Sequence, residues 1–136
     1  MQRTLIGMVV VSTLLAACGG GAPATPLKEL QRVKAVGLDV VLLSAGDSLK
    51  QGKGTFVVEF RDANGSLVDV GTVNVSASMP MSGMAPMFGE SAVTPSATKG
   101  RYAVSSVLGM TGTWRVDISW SGPRGQGQAS MRATAS

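Results

Sequence analysis

The stretch from Trp114 to Trp120, with the sequence WRVDISW, decides the fold class because its apolar and polar residues alternate one by one. Successive side chains of a β-strand point to opposite faces, so the two tryptophans would share one face and the polar residues the other. Residues 56–60 (FVVEF) and 73–77 (VNVSA) follow the same alternation. This period of two predicts strands with one face in a core and one face in water.

Further short apolar runs and turn signals complete an all-β prediction. The run 38–43 predicts a more fully buried strand, and 102–104 and 129–133 predict two more. The Asn64-Gly65 pair favours a hairpin turn, because both residues tolerate positive φ. We therefore expect six to seven strands in an antiparallel β-sandwich. Only residues 26–33 could be helical, as a short turn before the domain.

The N-terminus has the layout of a secretory signal peptide. One positive charge at Arg3 precedes the uncharged run 5–17, which ends in small residues. That run is shorter than the roughly 20 residues needed to span a hydrocarbon core. We therefore predict that residues 1–17 form a signal peptide and that the protein is exported.

The only cysteine of the chain, Cys18, stands directly after this signal. The sequence Leu15-Ala16-Ala17-Cys18 resembles the bacterial lipobox, which implies acylation of Cys18 and cleavage before it. Two or more acyl chains anchor a protein stably to a membrane. The alternative is ordinary secretory cleavage that leaves a lone thiol. We expect a lipidated tether at 18–34, a β-sandwich domain at 35–136, and a location facing the periplasm or the cell exterior.

Charge and composition exclude several function classes. Twelve basic and eight acidic residues give a net charge of +4, and the basic residues are scattered with few aromatics between them. Nucleic-acid binding is therefore not expected. The chain has no histidine, which removes the usual general base and the commonest metal ligand. No catalytic motif is present either, so we expect that the protein is not an enzyme.

One segment breaks the strand pattern and is rich in methionine. Residues 79–89 (MPMSGMAPMFG) contain too much proline and glycine for a strand or a helix, which predicts a loop. Soft thioether sulfur suits Cu(I), so Met81, Met84 and Met87 are the candidate ligands. Met79 continues an inward-facing series and is more naturally a core residue. Methionine also packs adaptably, so the loop could instead bind a partner protein without metal.

An ordered set of short patterns resembles the YtkA-like domain between about residues 35 and 133. The patterns are GLDVVL at 37–42, GKGTFVV at 52–58, MPMSGM at 79–84, KGRY at 99–102 and MTGTWRV at 110–116. This family resemblance implies an immunoglobulin-like β-sandwich related to FixH-type proteins, found in bacterial lipoproteins and appended to some copper-efflux adaptors.

The resemblance also places the Met110 segment near the methionine loop, which would make Met110 a further sulfur. Trp114 would then either cover a bound Cu(I) with its ring face or fill the core, as we expect of Trp120. The first functional hypothesis is thus a Cu(I)-binding module that uses Met81, Met84 and Met87, with Met110 and Met79 as weaker candidates. A copper donor or acceptor protein in the envelope would be its partner. The second is an interaction module whose loop binds an envelope partner by apolar packing.

Overall fold

The computed structural model describes residues 26–136, and the secondary structure in that range consists of strands. The predicted signal peptide and Cys18 lie outside the described residues. No helix in the described range is long and apolar enough to cross a membrane. The eight strands are β1 (Lys28–Ala35), β2 (Leu38–Ser44), β3 (Gly52–Arg61), β4 (Thr72–Met79), β5 (Met87–Pro95), β6 (Arg101–Leu108), β7 (Gly112–Gly122) and β8 (Gly125–Ala135).

The strands form one antiparallel sheet in the order β1-β2-β3-β6-β5-β4-β7-β8. Strand β5 turns the corner of this sheet, since Met87–Gly89 pairs with β4 and Glu90–Pro95 pairs with β6. The sheet folds back at this corner, and its inward faces share a single core. That core takes alternate residues from the strands, such as Phe56, Val58 and Phe60 of β3.

The two outermost strands, β1 and β8, lie side by side and run antiparallel, so the sheet is nearly a closed barrel. The connection between β2 and β3 covers the remaining edge of β8. Leu49 N–H donates to Thr134 O at 2.8 Å, and Ser136 N–H donates to Leu49 O at 2.9 Å. Leu49 is also buried in the core.

Because neighbouring strands alternate in direction, β1, β3, β5 and β7 begin at the same end of the molecule at which β2, β4, β6 and β8 finish. We call this the methionine end. It contains three connections, at residues 45–51, 80–86 and 109–111, as well as the point at which the described chain begins. The opposite end contains the Val36-Gly37 turn.

The structure confirms the predicted all-β antiparallel class and corrects its details. The prediction of six to seven strands is wrong, because there are eight. Residues 28–34 were predicted as tether and 26–33 as a possible helical turn, but 28–35 form β1 and pair with β2. Val36 and Gly37 both have positive φ, which allows the tight two-residue turn that joins these strands. Pairing with β2 therefore overrides the weak local preference of this segment.

The methionine loop is also shorter than predicted. The prediction treated all of 79–89 as loop, but Met79 ends β4 and Met87 begins β5, so only residues 80–86 connect them. Strand pairing therefore extends into a segment that is rich in glycine and proline.

Candidate functional site

The methionine hairpin, which consists of β4, residues 80–86 and β5, places two thioethers opposite each other. Met79 and Met87 are direct partners in the antiparallel pairing of β4 with β5. Directly opposed residues in such a pair have Cβ atoms about 4.5–5.5 Å apart. Met79 is buried, with 8% of its surface exposed, and Met87 is half-buried against the core. The backbone pairing thus fixes two sulfur-bearing side chains near one another.

A tight turn at the tip of the hairpin orders the next two methionines. Met84 N–H donates to Met81 O at 3.4 Å, and Gly83 between them has φ 72°. Glycine adopts this left-handed conformation without the steric cost of a Cβ atom. Met81 packs partly against the core, whereas Met84 is 72% exposed. The loop therefore has one anchored and one free thioether.

The connection between β6 and β7 lies directly against the hairpin. Met87 Sδ is 3.6 Å from the position that a Cβ atom on Gly109 would occupy. Met79 Cε and Sδ are 3.0 and 4.0 Å from the corresponding position on Gly112. The absence of side chains at these two glycines lets the Met110 segment approach, as the resemblance implies. Met110 itself is 43% exposed.

Trp114 fills the core beneath this group of methionines. It is fully buried, and its Nε1–H donates to Met110 O at 3.0 Å. Its ring edge lies 3.4 Å from the position of a Cβ atom on Gly89. Core packing is therefore the observed role of Trp114, and its hydrogen bond holds the Met110 backbone in place. Trp120 is also a core residue and packs edge-on against Phe60, with ring centroids 5.0 Å apart.

The structure thus gathers all five predicted sulfur donors at one end of the molecule, although they differ in exposure. Met79 has the buried position that its place in the alternation predicted. Within residues 26–136, no group of three or more His, Cys, Asp and Glu side chains could hold a metal ion. The thioethers are therefore the soft donors that this part of the chain brings together.

The structure also has a cleft of about 880 Å³ that sequence reasoning did not find and that no methionine lines. It runs between the 45–51 connection and the ends of β3, β6 and β5, and serine hydroxyls and two lysines, Lys50 and Lys53, line much of it. Gln51 Nε2–H donates to Gly109 O at 3.4 Å, which joins this connection to the Met110 segment. Cross-strand neighbours form the cleft, and no local sequence signal marks them.

The charged groups at this end are mostly exposed. Lys28 Nζ donates to Asp47 Oδ1 at 2.7 Å, and this hydrogen bond lowers the pKa of the Asp47 carboxyl. Both side chains are largely in water, so the pair contributes little stability.

Comparisons with known proteins identify the family. The crystal structure of the Lin-41 filamin domain is similar, with 19% identity and a TM-score of 0.44 over 65% of this chain and 81% of that chain. No curated protein matches the chain. The sequence profile of the YtkA-like family matches residues 32–119, which run from β1 into β7 and include the whole methionine hairpin. The chain therefore belongs to the YtkA-like family.

Proposed function

We propose that the protein is a Cu(I)-binding module, exported and anchored to a membrane through a lipid on Cys18, with an immunoglobulin-like β-sandwich as its folded part. The observation that carries the copper proposal is the convergence of the hairpin and the Met110 segment. Pairing of β4 with β5 opposes Met79 and Met87, and Met110 lies on the adjoining connection. The protein would act in copper tolerance or delivery without catalysing a reaction.

The chemistry of the donors supports Cu(I) over other ions. Thioether sulfur is neutral and soft, so it suits Cu(I) and binds Mg²⁺ or Ca²⁺ poorly. It also needs no deprotonation before binding, unlike a thiolate or a histidine. We therefore expect Cu(I) affinity to change little between pH 5 and pH 8.

The differences in exposure suggest separate roles for the ligands. Met87 and Met81 are partly held by the core, so little side-chain entropy remains to be lost when they bind an ion. Met84, at 72% exposure, is not held by the core and is accessible to an incoming ion. Met81, Met84 and Met87 are thus the proposed ligands, with Met110 and Met79 completing the set.

An anaerobic Cu(I) competition titration tests this proposal on the protein from Gly19 onward, which keeps all eight strands and the whole core. We expect one-to-one binding that the Met81/Met84/Met87→Leu variant loses by at least about tenfold. Leucine conserves apolarity and volume, and each swap should cost less than about 1.5 kcal/mol of stability. Met131→Leu is the matched control, because Met131 is buried on β8 away from the hairpin.

Equal affinity of the wild type and the triple variant, or no binding by either, would exclude a thioether copper site. The methionine hairpin would then be a packing surface for an envelope partner protein. Exposed Met84 and Met110 favour that second function. A partner held by packing alone would tolerate the leucine substitutions.

A further inference from the structure

Exposed apolar side chains are concentrated at the methionine end. Of the five large hydrophobic residues exposed in the described chain, four lie there: Leu27, Met84, Phe88 and Met110, which are 38 to 75% exposed. Only Val36, at 69%, lies at the opposite end. Single exposed hydrophobic residues are common on protein surfaces, but grouping at one pole marks an interaction surface.

The chain also connects to its N-terminal segment at this same end. Strand β1 begins at Lys28, directly after exposed Leu27. Cys18 lies eight residues before Pro26, and a fully extended chain of that length spans at most about 30 Å. A lipid on Cys18 would therefore keep the methionine end, rather than the opposite end, near the bilayer.

Basic residues surround the apolar group. Lys50 and Lys53 are exposed and form no ion pair with another residue in the range 26–136. On the outer face of the sheet, Phe88 pairs with Ser78 on the next strand, Ser78 pairs with Arg115, and Arg115 pairs with Arg132. These four residues therefore form one row across the strands. The acidic residues at this end are Glu90, which is in one row with Lys53, and three carboxylates that are each paired with a basic residue. These are Asp47 with Lys28, Glu29 with Arg32, and Asp117 with Arg115. An apolar centre with a basic rim fits an anionic lipid surface.

We propose that the methionine end rests on the anionic surface of a bilayer, with Leu27, Met84, Phe88 and Met110 in contact with the lipid headgroup region. This orientation draws on the proposed lipid anchor for its proximity to the membrane, but it does not depend on copper binding. The Val36 end would then face away from the membrane.

Vesicle sedimentation of the protein from Gly19 onward, without the lipid, tests the surface itself. We expect binding to vesicles of equal parts phosphatidylglycerol and phosphatidylcholine, weakened by salt and much lower with phosphatidylcholine alone. The Leu27→Ser/Phe88→Ser variant should bind roughly fivefold less. Val36→Ser is the control, because Val36, at 69% exposure, is an exposed apolar residue at the opposite end.

Two outcomes would overturn the proposal: no binding of the wild type to anionic vesicles at low salt, or an equal loss in Val36→Ser and Leu27→Ser/Phe88→Ser. If the wild type does not bind vesicles but this surface binds a partner protein, the membrane proposal is likewise wrong. All three substituted positions are exposed, and circular dichroism melts check that the variants stay folded.

The same variants separate this proposal from copper binding. The Leu27→Ser/Phe88→Ser variant retains every methionine and should titrate with Cu(I) like the wild type. The Met81/Met84/Met87→Leu variant retains the apolar surface and should sediment with vesicles like the wild type. These experiments can therefore show that one proposal is wrong while the other still holds.

Discussion

At the scale of single residues, Tyr102 shows how one buried polar atom is accommodated in this core. Its ring is buried and packs edge-on against Phe60, with centroids 5.6 Å apart. Its hydroxyl donates to Gly71 O at 2.9 Å, which satisfies the phenol within the protein. Burial, reinforced by the negative charge of Asp69, raises the pKa of Tyr102. The folded protein therefore favours the neutral phenol.

The raised pKa of Tyr102 gives a prediction with a defined sign. A pKa that is higher in the folded state contributes stability that is complete below the unfolded value near pH 10 and is lost as pH rises through the folded value. Tyr102→Phe should cost about 1 kcal/mol at pH 7, because it removes the hydrogen bond to Gly71. The phenylalanine variant has no phenol to ionise, so it should not undergo the loss of stability that Tyr102 causes at alkaline pH. The free energies of unfolding of the two proteins should therefore converge above pH 10. Urea unfolding at pH 7 and pH 11 checks this, and an equal difference at both pH values would contradict it.

A second residue-scale feature explains a glycine in the middle of a strand. Gly127 of β8 is the cross-strand partner of Trp120 on β7. The Trp120 ring lies where a Cβ atom on Gly127 would stand, with Nε1 only 2.9 Å from that position. Large and small residues therefore complement each other across the pair. The sequence places both residues, but their register brings them together.

At the scale of elements, the central strands hold a carboxylate on the outer face of the sheet that is nevertheless buried. Glu59 of β3 is cross-strand partner of Val41 on β2 and of Arg101 on β6. Its side chain is only 2% exposed. Arg61 donates to one carboxylate oxygen, and Arg101 Nη2 donates to the other at 3.0 Å. Two partly exposed guanidinium groups thus cover one buried carboxylate.

This arrangement predicts that Glu59→Gln destabilises the protein by roughly 2–3 kcal/mol, because it leaves two arginines beside a buried neutral amide. The cost stays below that of a fully buried pair, since both arginines reach water. Asp117→Asn is the matched control, because its pair with Arg115 is exposed and should contribute less than about 0.5 kcal/mol. Urea unfolding measures both variants. Equal effects of the two substitutions would show that burial adds nothing to the Glu59 interaction.

At the scale of the whole molecule, the 45–51 connection holds the sheet nearly closed. Leu49 pairs with Ala135 in a parallel bridge, and Gln51 N–H donates to Ser136 O at 3.0 Å. These contacts provide hydrogen-bond partners for backbone groups at the end of β8, where no neighbouring strand lies. The sheet therefore has less open edge at which another copy of the chain could pair.

Leu49→Ala should therefore destabilise the protein by about 2–5 kcal/mol, because it removes a fully buried side chain from this closure. Met84→Ala should change stability by less than about 0.5 kcal/mol, since Met84 is largely in water. Thermal and urea unfolding compare the two. Hydrogen exchange at the Ser136 amide, which donates to Leu49 O, should also accelerate in Leu49→Ala. A stable Leu49→Ala variant would mean that the closure contributes little to the fold.

The sequence by itself determined the strand class of this protein and most of its core. Alternation at 56–60, 73–77 and 114–120 predicted strands that the structure contains, with Phe56, Val75 and Trp114 facing inward. Period-two patterning is local, so it can be read without knowing the partner strand. The methionines within residues 79–89 were likewise identified as candidate donors from the sequence.

Only the tertiary structure decided the features that depend on pairing. Residues 28–35 form a strand because β2 lies beside them, and Met87 belongs to β5 because it pairs with Met79. The β1–β2 and Met79–Met87 pairings join neighbouring segments, but the local sequence does not show that a strand lies there or in which register it pairs. Burial of Glu59 on the outer face and the approach of the Met110 segment past Gly109 and Gly112 arise from residues far apart in the chain. No local pattern encodes which distant strand pairs with a given backbone edge.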